Sequence, residues 1–378
     1  MIRVLNIISD TNIGGAGRVL MNYLQYTDRT HFETLVALPR GSLLKFSLEK
    51  LGAVICEVDG IADRSFSWGD VKELRKLIRK VQPDLVHTHG ALSGRVAAKL
   101  CRVPIVYTRH SAFPVPNHLK KGPGRWLNKG VNEFLSNRII AVSPAAAENL
   151  TDGGISPDRI TVMMNGVAPV VRSSYDVCNT FCQEYHIPEK RFTMGILARI
   201  EPYKGHMHII EAAQMLKKQG REFTILIAGT GTYETQLQEE VKKRHLEDEV
   251  LFLGFQREVA PFLSVLDVQL NASYGTETSS LSILEGMSMG VPAIVSSYGG
   301  NPWLIDDGED GLIFPNRDSE ALAKCMAKLM DEPKTLARMR KRAVELFHQR
   351  FTGEIFAKKV EQVYYDVLKG VTHGTKYN

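Results

Sequence analysis

"VVRSSYDVCNTFCQEYHIPEKRFTMGIL", Val170 to Leu197, is the stretch where a regular pattern stops and then starts again. Before it, short apolar runs read as strands at Val4–Ser9, Thr34–Leu38, Val54–Val58, Leu85–Thr88, Ile105–Thr108, Arg138–Val142 and Ile160–Met164. Runs this continuous suit parallel strands buried on both faces. Between them, segments such as Gly17–Gln25, Val71–Val81 and Pro144–Asp152 carry the apolar spacing of helices. The quoted stretch is polar, lacks a strand, and holds Arg172-Ser173-Ser174 and Pro188. The rhythm then resumes at Phe192–Leu197, Phe223–Ala228, Val250–Leu253, Val268–Asn271, Ala293–Ser296 and Leu312–Phe314. Alternation of this kind predicts two doubly wound, Rossmann-like α/β domains. The expected divisions are a first domain over 1–170, a linker over 171–191, a second domain over 192–352 and a C-terminal segment over 353–378. In that last segment Phe356, Val360, Val363 and Val367 form one stripe of an amphipathic helix, Gly353–Lys369. Two facing sheets of this class put their carboxyl ends against one cleft, where ligands bind, so the loops after strands are where chemistry is expected.

Bulk properties narrow the classes. The chain has 378 residues, 44% apolar and 24% charged, which is the profile of a globular protein with room for two cores. A net charge of +5 favours anionic ligands or an anionic surface; spread over this length it is no nucleic-acid signature. Cys56, Cys101, Cys178, Cys182 and Cys325 are scattered and odd in number. Their spacing is poor for zinc, so reduced thiols are expected. Met1-Ile2-Arg3-Val4 leads straight into a strand rather than a signal peptide, and no run reaches membrane-spanning length. The expected location is cytoplasmic, at most peripheral on the inner face of a membrane.

Three post-strand loops stand out. After the first strand, "SDTNIGGAGR" places Gly14, Gly15 and Gly17 at a helix start, where backbone amides can meet an anion. Leu20 stands where a dinucleotide fingerprint needs glycine, and Leu38-Pro39-Arg40 where it needs an acid, so NAD binding is disfavoured. After the first strand of the second half, "LARIEPYKGH" sets Arg199 and Lys204 five residues apart, a fork and a mobile ammonium fitted to a diphosphate; an ordinary solvated basic turn is the bland alternative. In "SYGTETSSLSILEGMSMGVPAI", Ser273–Ile294, a strand over Val268–Ser273 leads to a helix from Ser279 or Ser280, either of which can cap it. Glu277 then lies at the helix mouth and Glu285 on the helix. Both approach from one side, unlike a glycosidase pair that must flank its bond, and suit hydrogen bonds to sugar hydroxyls.

In this setting E-x7-E with "LEGMSMGVP", together with "SYGGNPWLIDDGEDGLIF", "GILARIEPYKGH", "IAGTGTYETQL", "LGFQ", "AVSPAAAENL" and "MMNGV", resembles the retaining, nucleotide-sugar-dependent glycosyltransferases of family 4. The likeness runs nearly end to end and is most specific between Met194 and Phe314. It implies the GT-B fold, with acceptor bound by the first domain, donor by the second, and the C-terminal helix returning to the first. By the same resemblance Arg199 and Lys204 match the basic pair on the donor diphosphate. Glu285 matches the ribose-binding glutamate, and Glu277 the one beside the transferred sugar. Gly14 and Gly15 match the glycine-rich loop near the β-phosphate, and Gly229, Ser280 and Leu281 fall at donor-binding positions. His110, in "YTRHSA", matches the histidine that approaches the donor sugar. The implied reaction is a metal-independent, same-face transfer from a nucleotide-sugar, with a UDP-sugar the safest donor, to a polysaccharide precursor or lipid-linked acceptor. It needs no cofactor beyond that co-substrate. The sequence departs from the family's usual pattern at Thr278-Ser279-Ser280, in place of a glycine- or proline-bearing joint. A GT-B sugar-nucleotide epimerase and a non-catalytic sugar-nucleotide-binding partner of a transferase are the alternatives.

Two further features call for a reading. His87 and His89 in "DLVHTHG" alternate on a strand and face one side, with cleft lining by His89 favoured over metal binding. Residues 109–132 contain Arg109, Lys120, Lys121, Arg125 and Lys129, no acid, and interleaved Phe113, Trp126 and Leu127. Such a segment is either a solvated loop and helix face or a contact with anionic lipid.

Overall fold

A computed structural model describes residues 1–370. The chain divides into two compact units, Met1–Val167 joined by the chain from Thr352 onward, and Ala168–Phe351. In unit 1 the strands are β1 (Ile2–Ile8), β2 (Phe32–Pro39), β3 (Val54–Val58), β4 (Leu85–His89), β5 (Ile105–Arg109), β6 (Arg138–Ala141) and β7 (Ile160–Val162). They form a parallel sheet in the order β3-β2-β1-β4-β5-β6-β7. Unit 2 holds β8 (Phe192–Leu197), β9 (Phe223–Ala228), β10 (Val250–Gly254), β11 (Val268–Asn271), β12 (Ala293–Ser296) and β13 (Gly311–Phe314), parallel in the order β10-β9-β8-β11-β12-β13. Strand direction of travel reverses between β1 and β4, and again between β8 and β11. Those reversals are the switch points at which such sheets leave a crevice at their carboxyl ends.

The continuous apolar strands are buried because helices cover both faces. β9 is buried along its whole length, as is β12. On one face of unit 2 the His206–Lys218 and Ser319–Asp331 helices enclose Ile209, Ile210, Leu216, Leu322 and Met326 with Ile225 and Ile227. β11 ends at Asn271, as the apolar run predicts and two residues short of the longer reading to Ser273. Asn271 Oδ1 takes the Ser273 amide (3.1 Å), which turns the backbone out of the ladder.

The stretch expected as a linker, 171–191, belongs to unit 2 and contains a helix, Tyr175–Glu184. Ser174 Oγ accepts from the Val177 amide to cap it, and Phe181 and Ile187 enter an apolar cluster with Phe262, Leu263 and Leu266. Arg172 donates to the carbonyls of Ser264 and Met289, tying the segment down. Charges therefore marked a solvent-facing helix, not an absence of structure. Cys178 and Cys182 lie one turn apart on it, and all five thiols are free.

The helix Gly353–Leu368 packs within unit 1 against the helix Gly15–Tyr26. Its buried stripe contains Phe356, Val360 and Val363 and, beyond the expected set, Glu361 and Tyr364, while Val367 is only half-buried. Glu361 is tolerated there because its Oε1 accepts from Thr27 Oγ1 (2.9 Å) and the Asp28 amide (2.8 Å). Residues 371–378, counted in the expected C-terminal segment, lie outside the described residues.

Candidate functional site

In unit 2, β8 pairs directly with β11, so the loops that leave their carboxyl ends are neighbours although far apart in sequence. The first loop carries Arg199 and then a 3-10 turn, Pro202–Lys204, closed by Gly205 at φ +75°. A Cβ on Gly205 would sit 1.9 Å from the Ala272 carbonyl oxygen, so only glycine lets this loop lie against the end of β11. The contact delivers Lys204 Nζ to within 2.8 Å of Glu277 Oε2, across 73 residues of sequence. Both groups are largely enclosed, with Lys204 18% and Glu277 7% exposed.

Glu277 Oε2 also accepts from Ser273 Oγ (2.9 Å) and Asn271 Nδ2 (3.3 Å). Burial pushes the Glu277 carboxyl up, but the Lys204 charge and these hydrogen bonds outweigh it and hold the group below its ordinary range. Glu277 is therefore a fixed carboxylate at neutral pH. The three bonds converge on Oε2, and Oε1 takes none of them. Behind the pair, Asn301 Nδ2 donates to Asn271 Oδ1 and to Ser296 Oγ, which in turn donates to the Ser273 carbonyl (2.6 Å). None of Asn271, Ser273, Ser296 or Asn301 was singled out from sequence. The signal available was a polar cluster at the ends of two adjacent apolar strands.

Arg199 is exposed, and its guanidinium donates to Tyr203 Oη (2.9 Å). Gly229, expected as a donor contact, has φ +137°, and a Cβ there would meet the Ala198 carbonyl oxygen at 2.0 Å. Its demonstrable work is to let the loop after β9 clasp the Arg199 loop. Ile200 donates to the Thr230 carbonyl, and Thr232 Oγ1 to the Glu201 carboxylate. Ser280 occupies the position before the helix Leu281–Ser288, yet its hydroxyl contacts Ser282 Oγ (3.1 Å) instead of capping a backbone amide. The cap expected of Ser280 is thus not made. Leu281 is the first helical residue, and Glu285 lies buried one turn in.

Unit 1 carries the other expected residues. Gly14 and Gly15 stand at the start of the helix that follows β1; a Cβ on Gly15 would touch nothing within 4 Å, so packing alone does not require glycine there. His110 follows β5, and its Nε2 is 2.9 Å from His89 Nδ1. His89 Nε2 is 3.1 Å from Asn6 Oδ1. His87 bridges Tyr364 Oη (2.7 Å) and Thr108 Oγ1 (2.6 Å). Burial lowers His87 to about 3 and His110 to about 4, and pushes His89 well below its usual value. All three are neutral at pH 7. A neutral His89 that donates to the Asn6 oxygen must accept at Nδ1, so His110 donates from Nε2 and carries an acceptor at Nδ1. His89, at the end of β4, is the buried link that sets the His110 tautomer. Among the described residues no group of three or more His, Cys, Asp or Glu is placed to hold a metal ion.

Comparisons with known proteins match this arrangement. Residues 13–170 fit the family model described as Glycosyltransferase Family 4, and residues 179–346 fit Glycosyl transferases group 1. The chain belongs to this glycosyltransferase family. This glycosyltransferase is 27% identical to the N-acetyl-alpha-D-glucosaminyl L-malate synthase of Bacillus anthracis, over 80% of each chain. It is 26% identical to the alpha-monoglucosyldiacylglycerol synthase of Acholeplasma laidlawii, over 79% of each. The crystal structure of Anabaena Alr3699/HepE in complex with UDP superposes with a TM-score of 0.82 at 20% identity, covering 97% of this chain and all of that one. The fold is GT-B, two Rossmann-like domains with sheets of seven and six strands.

Proposed function

We propose that this glycosyltransferase is a retaining enzyme that moves a sugar from a nucleotide-sugar, a UDP-sugar first among the candidates, to a polysaccharide-precursor or lipid-linked acceptor without a metal ion. The observation that carries the reading is the Lys204–Glu277 pair beside exposed Arg199, at the carboxyl end of a parallel sheet. A carboxylate locked in its charged form is a poor proton donor and a good acceptor for sugar hydroxyls, which speaks against a glycosidase acid. A diphosphate entering here meets Arg199 as a fork and Lys204 as a shared cation already oriented by Glu277. As the sugar–phosphate bond breaks, the two cations stabilise the charge that gathers on the leaving diphosphate. The acceptor hydroxyl attacks the face the diphosphate leaves and hands its proton to that phosphate, so configuration is kept. Glu285, Ser280, Leu281 and Gly229 we assign to the nucleoside side of the donor. In unit 1, neutral His110 serves as a hydrogen-bond partner for substrate, and the Gly14-Gly15 helix start, with the Gly15 amide, faces an anion.

Support for the donor comes from the UDP in the Anabaena neighbour, and for a lipid acceptor from the named product of the Acholeplasma relative. The test is release of free nucleotide from a panel of UDP-, GDP- and ADP-sugars without acceptor. Slow release from one donor, lost in Arg199→Ala, is expected; Arg199 is exposed, so that variant keeps its fold. An absence of both release and calorimetric binding across the panel would favour the non-catalytic partner instead.

A further inference from the structure

The helix Gly122–Phe134 is mounted inside out. Trp126, Gly130 and Phe134 form one row at four-residue spacing and Leu127 and Val131 the next, an apolar arc of about 140° at 100° per residue. That arc faces away from the protein, with Trp126 81%, Leu127 68% and Phe134 62% exposed. The opposite, polar arc does the packing. Asn128 Nδ2 donates to the Gly153 carbonyl (2.7 Å) and Arg125 to the carbonyls of Thr151 and Asp152. Asn132 Oδ1 accepts from Arg95, and Glu133 Oε1 from the Ser156 amide. A surface helix normally buries its apolar stripe, so an outward stripe held in place by hydrogen bonds marks a surface made for an apolar partner. Phe113 (52%) and Leu100 (50%) are also exposed in this unit.

The charge around the stripe selects the partner. Lys120 and Lys121 precede the helix, Lys129 lies on its flank, and Lys99 stands over the Phe134 ring at 4.2 Å. Residues 109–132 carry no acid, and Glu133 is turned inward by the Ser156 amide. Two of the five basic residues in that span are committed to carbonyl and amide oxygens, while Lys120 and Lys129 keep exposed ammonium groups in loose surface pairs with Asp152 (3.5 Å) and Glu133 (3.9 Å). Arg109 is spent on the Ser111 carbonyl and Asn149, and Arg125 on the end of the Pro144–Asp152 helix. Aromatic and aliphatic side chains ringed by lysines match the boundary of an anionic bilayer, where rings enter the headgroup region and ammonium groups meet phosphate.

We propose that this helix is a docking surface for an anionic lipid membrane, with Trp126, Leu127, Val131 and Phe134 as the inserting face and Lys99, Lys120, Lys121 and Lys129 as the electrostatic rim. It goes beyond the donor reading and is independent of it, because docking is measured with no sugar-nucleotide present. The test is co-sedimentation of the full chain with phosphatidylcholine vesicles, with and without about one-third phosphatidylglycerol. The chain is expected to pellet with the anionic vesicles only, less so as salt rises and screens the lysines. Trp126→Ser/Leu127→Ser/Phe134→Ser should bind at least about tenfold more weakly. Lys99→Gln/Lys121→Gln/Lys129→Gln should weaken binding by roughly 100-fold, about fivefold per lysine. All six side chains lie outside the packed arc, so circular dichroism and thermal unfolding should be unchanged. The proposal is overturned by an absence of pelleting, by serine and glutamine variants that pellet like the parent, or by a solution dimer that the serine variant dissociates, which would make a second copy the occupant.

Discussion

Replacing Lys204 by methionine should damage the second unit far more than loss of one surface lysine. The substitution leaves Glu277, 7% exposed, as a buried carboxylate with only Ser273 and Asn271 to meet it. Removing one member of a buried ion pair costs about 3–5 kcal/mol. Because Lys204 is itself 18% exposed, the lower end applies, about 3 kcal/mol. Unit 2 runs from Ala168 to Phe351, or 184 residues (351 − 168 + 1). A unit of that size loses about 2–4 °C in melting temperature per kcal/mol, so its transition should fall by roughly 6–12 °C. Lys204→Met/Glu277→Gln removes both charges and should recover to within about 1 kcal/mol of the parent, a coupling of at least about 2 kcal/mol in a double-mutant cycle. Acid should erase the difference. Glu277 is held below its ordinary value of 4.5, so its contribution is complete above that pH and disappears as pH falls through the folded value. Differential scanning calorimetry on the four proteins, at neutral pH and stepwise downward from pH 4.5, measures all of this. A single-variant loss under about 1 kcal/mol, or additive effects in the cycle, would refute the claim that Lys204 and Glu277 form one unit.

Two other outcomes follow from the same geometry. Gly205→Ala should destabilise unit 2 by at least about 2 kcal/mol, read by urea unfolding, because the added methyl overlaps the Ala272 carbonyl and the backbone is left-handed there; a variant as stable as the parent would show that the two loops are not in contact. In unit 1, His87, His89 and His110 stay neutral when folded but protonate near 6.5 when unfolded, so stability should fall as pH drops from about 6.5 toward 4. Each contributes up to about 1.4 kcal/mol per pH unit, and His110→Asn should lower the slope of that fall by about one proton, an expectation that an unchanged slope would contradict.

The sequence by itself determined the strands, because a buried parallel strand must be continuously apolar and that property is local: Phe223–Ala228 and Ala293–Ser296 are found where they were expected. It also placed Arg199 and Lys204 just after β8 and Glu277 just after β11, the loops where ligands of such sheets are expected. It did not determine that Lys204 and Glu277 touch. That depends on β8 lying beside β11, and strand order is a property of the whole sheet, decided by which crossovers pack. The helix inside 171–191 was hidden because Phe181 and Ile187 are too few to show a period until unit 2 supplies the surface they bury against. The direction of the Gly122–Phe134 helix was hidden for a related reason. Periodicity reports that a helix has two faces, but which one is buried depends on the partners waiting for it, and here they are carbonyls and amides at Gly153, Thr151 and Ser156 that only the folded chain brings together.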